Sequence, residues 1–227
     1  MDIVGKNTLE VMSTANWYNR WVLDYLGKKV RGNILEVGAG IGNFSKLLRR
    51  RGNVTAIDIY PDYIQKLTKH SSILAGYGNI ESGKYFFNSN KRFDTLICFN
   101  VLEHIKDDAK AIRNMFKLLD SGCSLIVIVP AHQLLLSHFD REIGHFRRYN
   151  TKHLSDMLRK AGFRKITVRY INWWAAIGWF VFLKISRRKS LPKNPVGIFE
   201  KFAKYLLWPE KFIKLPFGLS VLAIAEK

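Results

Sequence analysis

The stretch ILEVGAGIGNFS, residues 34–45, decides the fold of this chain. It joins an apolar run to a loop with glycines at positions 38, 40 and 42, and a helical pattern follows the loop. Glycine is needed where the backbone turns tightly and a ligand must approach without a Cβ in the way. The order of strand, glycine loop and helix predicts a nucleotide-like cofactor site at the end of a parallel strand.

Glu36 indicates which cofactor this loop holds. Dinucleotide enzymes place a pyrophosphate on the helix N-terminus and usually show the spacing G-x-G-x-x-G. Here the third glycine comes one residue early, and Asn43 stands where it would be. A carboxylate two residues before the loop would repel a pyrophosphate, but it suits a cofactor with an ammonium and a sulfonium group. These features predict S-adenosyl-L-methionine; the alternative is a glycine turn beside a buried acid.

A second carboxylate, Asp58, follows Gly38 by twenty residues, near the end of the next apolar run. This spacing lets a βαβ unit bring a carboxylate at the tip of its second strand to a ribose diol. We therefore expect Asp58 to bind the ribose of the cofactor. The alternative is that Asp58 caps the helix starting near Pro61, since proline favours the first helical turn.

Apolar runs alternate with helical stripes along the rest of the chain. Helices are expected at about Thr14–Leu26, from the glycine loop to Gly52, from near Pro61, from Asp107 to Gly122, and from Asn150 or Thr151 to Gly162. Strands are expected at Val54–Ile59, weakly near Tyr85–Phe87, and at Phe93–Asn100, Leu125–Val129, Ile166–Tyr170 and Gly218–Ala225, with a loop over Gly76–Gly83. This alternation predicts an α/β fold with a parallel, doubly wound sheet, which collects its ligands at the carboxyl ends of the strands.

The positive charge of the chain is unevenly distributed. Residues 1–140 hold 18 Lys and Arg against 13 Asp and Glu, whereas residues 141–227 hold 19 against 5, a net charge of +14. We expect this C-terminal part to meet something anionic, with phosphorylated substrates, acidic lipid headgroups and nucleic acid as the candidates.

The apolar run INWWAAIGWFVFL, residues 171–183, is 13 residues long, well short of the roughly 20 that span a bilayer. Its tryptophans precede Arg187, Arg188 and Lys189. This is typical of an interfacial helix with aromatic groups at headgroup depth beside a basic cluster. We predict an aromatic and basic helical insertion over residues 171–217 that associates peripherally with an anionic membrane; packing against the sheet or a partner copy is the alternative.

The cysteines indicate a reducing environment. Cys98 and Cys123 lie within or beside apolar strand-like runs, and no signal-peptide pattern opens the chain. We expect two core residues without a disulfide, and a cytoplasmic protein at the inner face of the cell membrane.

Three motifs in order give the chain its family resemblance. ILEVGAGIGNFS, AIDIY and FDTLICFNVLEHIKDD resemble the first motif, the second motif and the fourth strand with its following loop of class I S-adenosylmethionine-dependent methyltransferases. The resemblance is strongest to the type 11 and type 12 methyltransferase domains. It covers residues 14–165 as the cofactor-binding core of a single domain, residues 1–227. It implies a Rossmann-like, doubly wound, seven-stranded sheet whose last strand, within residues 218–227, is antiparallel.

The resemblance also implies a set of cofactor contacts. The residues that would surround the methionine, ribose and adenine moieties are Glu36, Gly38, Ala39, Gly40, Gly42, Asp58, Ile59, Asn79, Asn100 and Val101. Among them, Asn79 falls where many members of the family have an aspartate that contacts adenine.

Methyl transfer from a sulfonium is an in-line displacement, so the main task of the protein is to align the acceptor. A hydroxyl acceptor also needs a base. The candidate bases are His104, after the fourth strand, His132, after the fifth, and His145. A purely structural role is the alternative for each.

The long loop Pro130–Tyr149 is expected to shape the acceptor pocket, because it leaves the carboxyl end of a central strand. The candidate acceptor ligands in this loop are Arg141, Arg147, Arg148 and Tyr149. Guanidinium groups bind phosphate or carboxylate in bidentate fashion, but Asp140 and Glu142 offer them ordinary ion pairs instead. No metal site is predicted.

Three interpretations of function remain. The leading one is a methyltransferase acting on an anionic or lipid-linked small molecule. An RNA methyltransferase is the second, favoured by the sequence pI of about 10.0 and the basic, aromatic C-terminal part, although we see no separate RNA-binding domain. A non-catalytic cofactor-binding scaffold is the third, and the intact glycine loop with Glu36 and Asp58 argues against it.

Overall fold

The computed structural model describes residues 9–10, 13, 15–69, 72–179, 207, 210, 213 and 215–227. The helices are α1 (Asn16–Leu26), α2 (Ser45–Leu48), α3 (Pro61–Thr68), α4 (Asp108–Leu118), α5 (His138–Glu142), α6 (Thr151–Lys160) and α7 (Trp173–Trp179). Short 3-10 helices occupy Gly27–Lys29, Leu102–His104 and Gln133–Leu135. The strands are β1 (Gly32–Val37), β2 (Gly52–Asp58), β3 (Leu74–Asn79), β4 (Lys84–Tyr85), β5 (Phe93–Phe99), β6 (Leu119–Pro130), β7 (Arg164–Ile171) and β8 (Ser220–Glu226).

These strands form one sheet in the order β4-β3-β2-β1-β5-β6-β8-β7. The five strands from β3 to β6 are parallel neighbours, and β8 is inserted antiparallel between β6 and β7. The expected doubly wound sheet with an antiparallel last strand is confirmed. The eighth strand is the two-residue β4, which pairs antiparallel with β3 at one edge.

The strand order reverses between β1 and β5, and this reversal positions the site. From β1 the chain winds outward to β2 and β3, and it then crosses back to β5 on the other side. Loops that leave adjacent strands in opposite directions open a crevice at their carboxyl ends. The glycine loop follows β1, so it lies at this crevice.

Alternating residues of the central strands build a core on each face of the sheet. Leu35 packs on one side with Ile112 of α4 and Leu158 of α6, and Ile34 packs on the other with Trp21 of α1. Both strand residues are fully buried. Apolar helices on both faces explain why the middle strands are apolar on both sides.

The expected loop over Gly76–Gly83 is wrong in its first half, because Leu74–Asn79 forms β3. Two glycines lower the strand propensity of this segment. The fold needs them: a Cβ on Gly76 would lie 2.4 Å from Cγ of Phe86, and one on Gly78 would lie 2.6 Å from Cβ of Ile57. Of the weak strand near Tyr85–Phe87, only Tyr85 belongs to β4.

The end of α4 also differs from expectation. The helix stops at Leu118, and β6 begins at once, so Gly122 lies inside a strand with a φ of +76° rather than at a helix end. The start of α4 is confirmed, since Asp107 accepts the backbone N–H of Lys110 as N-cap. Asn150 caps α6 in the same way, through the N–H of His153.

Only part of the predicted insertion over residues 171–217 is described. Asn172 and Trp173 donate their backbone N–H groups to the carboxylate of Glu210, at 2.9 Å each, so Glu210 holds the start of α7. The cluster Arg187, Arg188 and Lys189 lies outside the described residues. Within the described part, no helix has the length and apolar character needed to cross a bilayer. Cys98 and Cys123 are free thiols.

Candidate active site

The glycine loop turns sharply beneath the segment that follows β5. Gly38 and Ala39 donate their N–H groups to the carbonyl of Ile57, at 2.8 and 3.1 Å, which ties the loop to β2. Gly38 has a φ of +68°, and a Cβ there would lie 2.3 Å from Cγ2 of Val101. Only glycine fits both the left-handed backbone and this close approach. The loop predicted from the sequence, Gly38–Gly42, is therefore tightly packed, and we refer to it as the cradle.

Two buried carboxylates hold this cradle. Asp58 accepts the N–H of Gly40 on Oδ2 at 2.8 Å and the N–H of Tyr60 on Oδ1 at 3.0 Å. Glu36 accepts the hydroxyl of Ser45 at 2.5 Å. Their side chains belong to residues that are only 6% and 5% exposed, respectively. The structure thus brings together the two acids that the sequence analysis singled out.

The electrostatics of this acid pair favour a cation. Burial raises the pKa of Glu36 to about 8, the hydrogen bond from Ser45 opposes the rise, and the charge of Asp58 adds to it. Burial also raises the pKa of Asp58, although the N–H groups of Tyr60 and Gly40 oppose the change. A sulfonium and an ammonium would stabilise the ionised form of both groups. The cradle and its acids therefore fit S-adenosyl-L-methionine.

The other predicted cofactor ligands lie along the same edge of the sheet. Ile59 follows β2 and is 47% exposed. Asn79 ends β3, where its Oδ1 accepts the N–H of Ser82 at 2.9 Å and so shapes a turn. Asn100 follows β5 with a φ of +52° and donates its N–H to Ile128 at 2.8 Å. These positions meet at the carboxyl ends of three strands, where the fold places ligands.

The three candidate bases fall into two places. The rings of His104 and His145 lie 4.6 Å apart between centroids, in an edge-to-face arrangement. His132 instead stacks on Tyr170 of β7 at 4.7 Å. Burial lowers the pKa of His132, with the charge of Arg148 acting in the same direction, and its Nε2 is buried with no hydrogen-bond partner among the described residues. A neutral imidazole of this kind is suited to accept a proton.

Two of the four predicted acceptor ligands have side chains that are buried and bonded to other groups of the chain. Arg148 is buried, and its Nε and Nη2 donate to Oδ1 of Asp140 at 3.0 and 2.6 Å while Nη1 donates to the carbonyl of Ala131. Tyr149 is 1% exposed, and its hydroxyl donates to Asp108 at 2.8 Å. Both side chains hold the loop onto the core. The ordinary ion pair that the sequence left open as an alternative is the one that forms for Arg148.

Arg141 and Arg147 remain available at the surface. Arg141 is exposed on α5. Arg147 is 30% exposed along its side chain and pairs with Oδ2 of Asp108 at 2.6 Å. Its Nη2 also donates to the carbonyl of Lys106 at 2.9 Å. A partly exposed guanidinium fixed in this way presents donors at the rim of the carboxyl edge.

Asp140 organises the loop, a role that the sequence analysis missed. Burial alone would raise its pKa, but hydrogen bonds from His145 and Ser137 and the charge of Arg148 hold the pKa well below its usual range. Ser137 and Asp140 form a reciprocal capping box at the start of α5. The spacing Ser-x-x-Asp was the available signal.

Glu103 was also missed. It is fully buried, and neither carboxylate oxygen has a hydrogen-bond partner in the described part of the chain. Burial raises its pKa to about 8, while the residue's own backbone N–H and the nearby charge of Arg148 oppose the rise. An acid between the apolar residues Leu102 and Ile105 was the sequence signal. Ser45, which orients Glu36, had no signal beyond its place at the start of the helix after the loop.

Comparison with known proteins agrees with this geometry. The family described as "Methyltransferase domain" matches residues 15–168. A ubiquinone biosynthesis O-methyltransferase of Xylella fastidiosa (strain M23) is 34% identical over 112 residues, which are 46% of this chain and 46% of that protein. Its counterpart in Xanthomonas oryzae pv. oryzae (strain PXO99A) is 28% identical over 150 residues, covering 61% and 63%. The match thus spans about half of the first relative and less than two thirds of the second.

Solved structures show the same fold at low sequence identity. A SAM dependent methyltransferase from Archaeoglobus fulgidus superposes with a TM-score of 0.58 at 14% identity, over 93% of this chain and 92% of that one. Phosphoethanolamine N-methyltransferase 2 of Haemonchus contortus, in complex with S-adenosyl-L-methionine, gives a TM-score of 0.63 at 16% identity, over 92% of this chain and 52% of that one. The family match over residues 15–168 shows that this chain belongs to the methyltransferase domain family, and its sheet order and its glycine cradle with two acids agree with the fold expected of class I S-adenosylmethionine-dependent members.

Proposed function

We propose that this enzyme methylates a hydroxyl group of a small anionic or lipid-linked molecule at the cytoplasmic face of a membrane. S-adenosyl-L-methionine, when bound, supplies an electrophilic methyl group on a sulfonium. The residues of the chain then have to orient the acceptor, exclude water and receive the proton of the hydroxyl. The observation that carries the proposal is the acid-lined cradle opening toward a carboxyl edge that also bears histidines and a partly exposed arginine.

Two features favour oxygen as the acceptor atom. The relatives matched over 112 and 150 residues are named as O-methyltransferases. A hydroxyl must lose its proton during transfer, and His132 offers a buried imidazole nitrogen without a hydrogen-bond partner among the described residues. A residue of this kind suits an oxygen acceptor, because a hydroxyl becomes a strong nucleophile as it loses its proton.

Charge and exposure favour an anionic, lipid-linked acceptor. Residues 141–227 carry a net charge of +14. Next to β7 and β8, the described residues include exposed Trp174, Ile213 and Phe217, at 38%, 53% and 40%. Tryptophan and phenylalanine beside basic groups are suited to the headgroup region of an anionic bilayer.

Labelled S-adenosyl-L-methionine tests the acceptor class. The purified chain is incubated with the labelled cofactor and, separately, with a lipid extract, a water-soluble metabolite extract and total RNA. The proposal predicts a labelled product in the lipid extract whose new group is a methyl ether. A label in RNA alone would support the nucleic-acid interpretation instead, and binding of the cofactor without transfer to any fraction would support the scaffold.

Vesicle sedimentation tests the membrane part separately. We expect the chain to sediment with vesicles of mixed anionic and neutral lipid, to bind purely neutral vesicles weakly, and to be released by salt. Trp174→Ala is expected to weaken sedimentation, whereas Leu134→Ala, which removes an 88% exposed leucine from a different loop, serves as the control. Equal sedimentation of all three proteins would contradict membrane docking through this surface.

A further inference from the structure

The buried carboxylate of Glu103 lacks the partners that such a group needs. The residue is 0% exposed, and neither Oε1 nor Oε2 accepts a hydrogen bond from the described residues. A buried polar group left unsatisfied is destabilising, and more so when the group is charged. Ionised carboxylates inside proteins are normally paired or bound to a metal.

His145 faces Glu103 with a defined ring orientation. Its Nδ1 lies 3.0 Å from Oδ1 of Asp140, which is ionised because Arg148 and Ser137 stabilise it. A proton on Nδ1 makes this contact a hydrogen bond, and in that tautomer Nε2 offers a lone pair. This Nε2 lies 3.8 Å from Oε1 of Glu103, too far for a hydrogen bond. An electron pair on nitrogen thus faces a carboxylate oxygen, with a gap between the two atoms.

His104 completes the group. It directly follows Glu103 and is exposed, and its ring lies edge-to-face with that of His145. One ligand atom from each of Glu103, His104 and His145 lies within 4.8 Å of the others. Two metal bonds of about 2.1 Å at a tetrahedral angle separate their ligand atoms by about 3.4 Å, so shortening these distances by at most about 1.4 Å closes the site.

We propose that Glu103, His104 and His145 bind one divalent transition metal ion, of the Zn²⁺ or Mn²⁺ class. Two imidazoles and one carboxylate form a ligand set typical of catalytic sites for such ions, and three protein ligands leave a position for solvent or an acceptor oxygen. Asp140 takes the place of the carboxylate that orients a metal-binding histidine through its second nitrogen. The sequence analysis predicted no metal site, because His145 comes from a distant loop. This proposal concerns ion binding and does not rest on the proposed acceptor.

Metal titration of the untagged full-length chain tests it. After dialysis against a chelator, the chain is titrated with Mn²⁺ and followed by electron paramagnetic resonance, and with Zn²⁺ and followed by calorimetry. We expect one ion per chain. His104→Ala and Glu103→Gln are each expected to weaken affinity at least tenfold, and His138→Ala, which removes an exposed histidine from α5, is expected to leave it unchanged.

Two results would overturn the proposal. One is the absence of stoichiometric binding of either ion; the other is binding that His104→Ala leaves intact, since this side chain supplies one of the three ligand atoms. Circular dichroism checks that Glu103→Gln is folded. S-adenosyl-L-methionine affinity is measured in parallel, so that failure of the metal site and failure of the methyltransferase function are distinguished: a chain that binds the cofactor but no metal refutes only this inference.

Discussion

The backbone N–H of Gly40 donates to Oδ2 of Asp58 across 2.8 Å, so the acid at the tip of β2 holds the glycine loop at the tip of β1. The other oxygen of the same carboxylate accepts the N–H of Tyr60. Asp58 therefore shapes the cradle and lies at its rim. The sequence predicts that Asp58 binds a ribose diol. Each oxygen of its carboxylate keeps a further lone pair for this purpose, and the two backbone N–H groups already fix the orientation of the carboxylate.

Asp58→Ala is expected to damage both the loop and the cofactor site. The N–H groups of Gly40 and Tyr60 lose their acceptor, which costs about 1–3 kcal/mol of the free energy of unfolding, and cofactor affinity falls at least tenfold. Urea denaturation and calorimetry measure the two effects. Asp62→Ala, which removes an exposed acid in the first turn of α3, is the control. Unchanged affinity in Asp58→Ala would remove this residue from the site.

Gly38→Ala tests how tightly the loop passes beneath Val101. An alanine at a positive φ costs about 1–2 kcal/mol, and the added Cβ, which would lie 2.3 Å from Cγ2 of Val101, adds about 1–3 kcal/mol of overpacking. Gly122→Ala is a matched control, because its φ is +76° but nothing lies within 4 Å of the new Cβ. In the Gly38→Ala variant, the midpoint temperature of thermal unfolding should be well below that of Gly122→Ala. Addition of Val101→Ala should recover part of the difference, and equal stability of the two single variants would contradict the packing described.

Glu36 predicts a pH-dependent cofactor affinity. Its pKa is about 8 in the folded, cofactor-free chain, above the ordinary value of 4.5, so between these pH values the folded state keeps a proton that the unfolded state has lost. The cofactor-free chain therefore loses stability as pH rises through this window, by at most about 1.4 kcal/mol per pH unit from this group. A bound cation displaces the proton, so affinity should rise with pH up to about 8, by at most about tenfold per unit.

Calorimetry between pH 6 and pH 8, in buffers of different ionisation enthalpy, measures this proton release. Glu36→Gln should lose the part of the pH slope that comes from Glu36, and S-adenosyl-L-homocysteine, which lacks the sulfonium charge, should show a weaker slope than S-adenosyl-L-methionine. The same slope in Glu36→Gln and in the native chain would show that Glu36 does not face the cationic part of the cofactor.

Arg147 and Arg148 are neighbours in sequence, but we expect their alanine variants to lose different amounts of stability. Arg148→Ala removes the guanidinium partner of Asp140, a carboxylate that is 1% exposed, so we expect a loss of about 3–5 kcal/mol in the free energy of unfolding. Arg147→Ala removes a partly exposed pair and should cost about 1 kcal/mol or less. Its effect should appear as a raised KM for the acceptor with little change in cofactor affinity. Urea denaturation of both variants, followed by steady-state kinetics of Arg147→Ala, separates the two roles; similar stability losses would contradict them.

The sequence predicts the fold well where local pattern and topology agree. The glycine loop, Glu36 and Asp58 are close in sequence to the strands that position them, so the first half of the cradle can be derived from spacing. The strand β3 could not be derived in this way. Its glycines, Gly76 and Gly78, are required by the close approach of Phe86 and Ile57, which lie outside the local sequence pattern. The roles of the side chains in the loop after β6 could not be derived from the sequence either. Arg148 and Tyr149 have the residue types of surface ligands, but in the structure they bond to Asp140 and Asp108, respectively.

A crystal structure of this chain with S-adenosyl-L-methionine tests the central claim most directly. We predict density for the cofactor over the loop Gly38–Gly42, with a ribose hydroxyl on Asp58 and the cationic end of the molecule on the side of Glu36. A cofactor bound elsewhere, or a crevice without density at a cofactor concentration far above the affinity measured in solution, would contradict the account.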